Sequence, residues 1–119
     1  LTLDMWFDFL AVRLNGDRAA GRTIALNWRF TDTKQDVLLT LENSALSHLV
    51  DTQATNADAT LTLTRATLDE ISLQRLTFPA ALQAGRIQVS GKAEKLGEML
   101  SLIDVGATMF PLVEPRPAP

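Results

Sequence analysis

Few side chains in this sequence are of the kinds that make or break bonds, and their spacing decides what each can do. Asp4 and Asp8 stand one helical turn apart and can work as an acid–base pair, although carboxylates early in a helix are also favoured there by the dipole alone. His48 falls in the middle of a strand-like segment with no acid nearby in sequence, so it reads as a hydrogen-bonded sheet histidine rather than a general base. The run from Gly85 to Lys92 imitates a phosphate loop and fails as one. Five residues rather than four separate Gly85 and Gly91, Ala93 stands where Ser or Thr would bind magnesium, and the middle alternates like a strand. Ser90 has no Gly-x-Ser-x-Gly elbow around it. With no cysteine and a single histidine, disulfides, thiolate nucleophiles, cysteine-ligated zinc and multi-histidine metal sites are excluded. No catalytic residues are assigned, and the chain by itself is expected not to be an enzyme.

The elements that would position such groups follow from pattern. The chain has 119 residues, 46% of them hydrophobic and 21% charged, enough for one domain with its own core. Eleven basic against fourteen acidic residues leave a net charge of −3, which argues against nucleic acid as a partner. No apolar run reaches the roughly 18 residues of a membrane span. The opening on Leu1, without a signal-peptide n-region, reads as a cut from something longer, and the proline-rich end predicts a disordered tail at residues 116–119 after a domain at 1–115.

Residues 2–14 read as a helix stopped by Asn15 and Gly16, with Leu3, Phe7, Leu10 and Leu14 on one face and Met5, Trp6, Phe9 and Val12 over most of the rest. A helix this apolar is expected to be covered on two sides, by its own sheet and by a partner domain, a second copy or a ligand. Period-two alternation then marks strands at Thr23–Thr31, Asp36–Glu42 and Ala45–Val50, a meander, and at Asp58–Thr64. Thr67 to Glu70 reads as a capping box opening a short helix with Leu68, Ile71 and Leu73. Thr77 caps a second short helix, Phe78–Ala84, closed by Gly85; Arg86–Ser90 is a brief strand, and residues 93–104 a last helix with Leu96, Met99, Leu100 and Ile103 on one face. The fold class is α+β: a five-stranded antiparallel or mixed sheet covered by helices on one side. The apolar first helix, the Met99–Ile103 face and the segment from Val105 to Val113 exceed what one sheet face needs. Met99, Met109 and Phe110 are therefore either core or the adaptable lining of a pocket.

Several stretches resemble one family. They are Phe7 to Asn15, the strand with Leu26, Asn27, Trp28 and Phe30 leaving through Thr31 and Asp32, Ala57 to Asp69, Gly85-x-Ile-x-Val-x-Gly91, Lys95 to Glu98, and Leu112 to Pro115. In this order, over nearly the whole chain, they are similar to the C-terminal domain of the bacterial alkyl sulfatases. The resemblance implies a sterol carrier protein 2-like fold enclosing an apolar slot. It also implies that the domain collects the aliphatic chain of an alkyl sulfate surfactant for a separate N-terminal metallo-β-lactamase-like domain. The zinc belongs to that absent domain, no cofactor is expected in this chain, and a homodimer and a periplasmic or secreted setting go with the family. The expected lining is Trp28, Phe78, Leu82, Met99, Leu102, Ile103, Met109 and Phe110. A purely structural docking domain and a free-standing lipid carrier are the rival readings.

Overall fold

Alternation along the second to fifth apolar segments produces one sheet with a single oily face. The structure, a computed structural model, describes residues 2–104; Met109, Phe110 and the expected tail at 116–119 lie outside the described residues. β1 (Ile24–Phe30), β2 (Gln35–Glu42) and β3 (Ala45–Val50) form the antiparallel meander, and β4 (Ala59–Leu63) and β5 (Gln88–Gly91) complete a sheet ordered β3-β2-β1-β4-β5. β1 pairs antiparallel with β2 and parallel with β4, so the sheet is mixed. Register sets Val50, Val37, Trp28, Leu61 and Val89 in one row across all five strands, and His48, Leu39, Leu26 and Ala59 in the next. Both rows face the helices, because side chains two apart share a face.

The parallel pair needs a crossover. The polar loop after β3 supplies it, pinned to the outer face by Asn27. That side chain donates from Nδ2 to the Ala54 carbonyl and accepts the Ala54 N–H at Oδ1, each at 2.8 Å. A nearly buried amide thus replaces a strand-like pair of backbone bonds where the loop has no strand of its own.

Helices cover the other face. α1 (Leu3–Val12) is capped by Thr2 and packs over β3, with α2 (Gly16–Ala19) following it. Asn15 does not merely end the first helix at the expected place. The helix closes at Arg13, and Asn15 Oδ1 accepts the Arg18 N–H, opening α2. α3 (Arg65–Ser72) also departs from expectation. Its cap is Thr64 rather than Thr67, because β4 runs straight into the helix with no linker. Thr64 Oγ1 accepts the Thr67 N–H at 3.0 Å, and the Asp32 carboxylate reaches across from the β1–β2 turn to take the N–H groups of Arg65 and Ala66. Leu73, read as part of its apolar face, is exposed at the helix end.

α4 (Phe78–Gln83) is capped by Thr77 as the spacing predicts, and α5 (Ala93–Ser101) packs on β1 and β4. The last helix is shorter than the 93–104 expected. Leu102 and Ile103 turn back so that Ile103 bridges Leu14, while the Leu102 carbonyl accepts the Asn15 N–H at 2.8 Å.

Two turn positions make opposite predictions. Asn43 and Ser44 join β2 to β3 with φ of 54° and 61°, a conformation in which Ser44 carries a Cβ at a cost glycine avoids. Ser44→Gly is expected to raise stability by about 0.5–1 kcal/mol. Gly91 has φ of +92°, and a Cβ there would lie 2.8 Å from the Asp58 carbonyl oxygen. Gly91→Ala is expected to lower stability by roughly 2–4 kcal/mol, from left-handed strain plus a backbone clash. Urea unfolding midpoints of the two variants check both signs.

Candidate functional site

The space between sheet and helices is built around Trp28, at the middle of β1. Its ring meets Phe7 of α1 edge-to-face at 5.1 Å, Phe78 of α4 edge-to-face at 6.0 Å, and Phe30 in a stacked arrangement at 6.2 Å. Phe7 was not among the lining residues drawn from sequence, although the spacing of Leu3, Phe7 and Leu10 marks the inner face on which it lies. Trp28, Phe78, Met99 and Leu102 are completely enclosed, Ile103 nearly so, and Leu82 half-buried against the same cluster. Trp28 and Phe78 are thus brought into direct contact, with Met99, Leu102 and Ile103 in the same apolar core.

The chemistry-bearing side chains lie elsewhere. His48 Nε2 is 2.7 Å from Asp4 Oδ1, its Nδ1 is 3.9 Å from Asp8 Oδ1, and its ring stacks on Phe7 at 5.4 Å. The acid missing near His48 in sequence arrives from α1 by tertiary packing, a partner no local motif reveals. Asp4 and Asp8 share this histidine while remaining largely exposed. Among the described residues, no group of three His, Cys, Asp or Glu could hold a metal ion. A surface cleft of about 290 Å³ at the β1–β2 turn is lined by Arg29, Phe30, Thr31, Lys34 and Asp36. None of the expected lining residues that are described borders it.

Polar clamps fix the walls. Arg86, just before β5, reaches Glu70 and Thr67 of α3, tying that helix to the chain entering the last strand. Arg22 and Lys95 both pair with Glu98 on α5. On α1 the outer side is less finished: Met5 and Val12 are 57% and 79% exposed, and the Arg13 guanidinium lies 3.8 Å over the Phe9 ring. Among the described residues, the inner side of the first helix is covered while Met5 and Val12 on its outer side are exposed.

A family model described as alkyl sulfatase C-terminal matches residues 1–115. The chain belongs to the alkyl sulfatase C-terminal family. It is 44% identical over 115 residues to an (R)-specific secondary-alkylsulfatase of Pseudomonas sp. and 39% identical to the alkyl/aryl-sulfatase BDS1 of Saccharomyces cerevisiae. Each match takes in 97% of this chain but only 17% and 18% of those proteins, so the chain spans about one-sixth of their length. Among solved structures, the stereoselective inverting sec-alkylsulfatase Pisa1 from Pseudomonas sp. superposes on 92% of this chain with a TM-score of 0.79, using 17% of its own. Palmitated SCP2L2 from Aedes aegypti matches 87% of this chain and 96% of its own with a TM-score of 0.63 at 18% identity. The fold of this alkyl sulfatase domain is therefore sterol carrier protein 2-like.

The clamps give the domain a pH dependence. Backbone N–H groups, that of Arg65 foremost, hold the Asp32 carboxyl below its ordinary range. The Arg86 hydrogen bond does the same for Glu70, and those from Arg22 and then Lys95 for Glu98. Depressed carboxyl values stabilise the fold above the unfolded-state pKa, and that stability is lost as pH falls through the folded-state values. Unfolding midpoints should therefore drop below roughly pH 4. Glu70→Gln should flatten the drop while lowering stability at neutral pH.

Proposed function

We propose that this domain is the non-catalytic module of an alkyl sulfatase that binds the aliphatic chain of the surfactant and presents it to a catalytic domain elsewhere in the parent protein. The observation that carries this reading is the unbroken apolar layer between sheet and helices, centred on Trp28, Phe78, Met99 and Leu102. It lies in a fold shared with a palmitated protein. In this reading Leu82 and Ile103, at the margin of the layer, border the mouth of the slot. Zinc chemistry and sulfate-ester cleavage belong to the separate metallo-β-lactamase-like domain, and a periplasmic or secreted setting suits a scavenger of external surfactant.

Burying one methylene is worth roughly 0.8 kcal/mol, so a twelve-carbon chain offers on the order of 10 kcal/mol before ordering and association costs. Binding near the micromolar range follows, with little discrimination between neighbouring homologues. Titrating the chain with alkyl sulfates of increasing length should show affinity rising about fourfold per carbon. An affinity that does not change with length overturns the reading. The expected chain alone releases no sulfate from these esters; measurable hydrolysis by the purified chain overturns its non-catalytic part.

The exposed Met5 and Val12 favour a second, compatible reading. The outer side of α1 then docks on the remaining five-sixths of the parent chain, the length by which the relatives exceed this one.

A further inference from the structure

Trp28 carries a polar group that the described residues leave unanswered. Its indole Nε1 is buried without a hydrogen-bond partner among them, and the residue is completely enclosed. An N–H left this way forfeits the bond it made to water, a penalty a phenylalanine in the same place would not incur. The surroundings offer no substitute of comparable strength. The neighbouring groups at ring distance are Phe7, Phe30 and Phe78, and contact with a ring face is a weak interaction for an N–H. The rings that touch Trp28 carry no acceptor, so its indole N–H is a polar point among aromatic side chains in the middle of the proposed slot.

We infer that Trp28 Nε1 is the polar anchor of the slot and that it reads a neutral oxygen on the bound chain, as in a long-chain alcohol. This rests on the chain-binding reading above and refines its ligand. A neutral hydroxyl supplies the missing acceptor at far less desolvation cost than a charged group would incur. A sulfate ester would carry its full charge into an apolar core with no cation beside it, which is prohibitive. Arg13, Arg29 and Lys34 are all exposed and none lies among the rings around Trp28. The slot therefore favours the alcohol that sulfate-ester cleavage releases over the charged ester itself at this depth. Phe30 lies on the same strand as Trp28, whereas Phe7 and Phe78 are carried on α1 and α4, so a ligand entering from the helix side would pass between these two rings.

The test follows the indole N–H itself. The chain has two tryptophans, so Trp6→Phe leaves Trp28 as the only indole resonance in a nitrogen–proton correlation spectrum. Saturating 1-decanol should move that resonance downfield, while decane should perturb the surrounding methyl groups and leave the indole in place. In Trp28→Phe, the preference for 1-decanol over decane should fall roughly three- to tenfold, the worth of one hydrogen bond. Methyl perturbation by 1-decanol with an unmoved indole, or a preference unchanged in Trp28→Phe, overturns this inference and leaves chain binding standing. No perturbation by any probe, decyl sulfate included, overturns both.

Discussion

The inward face of the sheet must be kept from water, and the placement of every other element answers that need. Register aligns Leu26, Trp28 and Phe30 of β1 with Leu39, Val37, Leu61 and Leu63 on its two neighbours, so one face is almost wholly apolar while the other carries Asn27, Thr60 and Thr62. A sheet asymmetric in this way cannot stand alone, because the hydrophobic term scales with the area left exposed. α1 settles over β3, α5 over β1 and β4, and α4 sets Phe78 against Trp28. Trp28 is the residue on which these pieces converge. Its volume joins two helices to the central strand, and its one polar atom is what the apolar surroundings leave unanswered.

Much of this was legible in the sequence because period two and period 3.6 are statements about faces. The β1–β2–β3 meander, the Thr77 cap and the inward sets of β4 follow from local pattern, and the structure has them. The errors have a common physical origin: partners distant in sequence. Thr67 and Glu70 have the right spacing for a capping box, but Thr64 is already in extended geometry at the end of β4 and Asp32 arrives from another turn, so the helix opens three residues sooner. Glu70 is then free to meet Arg86. The shortening of the last helix is equally non-local, since Ile103 bridges Leu14.

The same limit governs the site. Trp28 and Phe78 could be named from sequence as large apolar residues on inward faces, and helical spacing puts Phe7 on one too, yet the ring contacts that join the three are written in no local stretch. His48 illustrates the point most clearly. Asp4, which meets it, lies across the fold on α1, and only the docking of that helix over β3 brings the pair to hydrogen-bonding distance. That docking leaves the helix with two unlike sides, one satisfied by this chain and one carrying Met5 and Val12 into solvent. Family membership supplies the context for the uncovered side, because the relatives are far longer proteins.

The parallel pairing of Leu26 with Ala59 also joins segments far apart in the chain. The meander needs only tight local turns and can close early, whereas β4 reaches β1 after two hairpins and a crossover have been laid down. Until then the central strand has a bare edge with backbone groups open to any passing strand, including one from another molecule. By fastening the crossover at Ala54, Asn27 shortens the search that β4 must make. A side chain on the solvent face of the sheet thereby helps bring β4 to the edge it must cover.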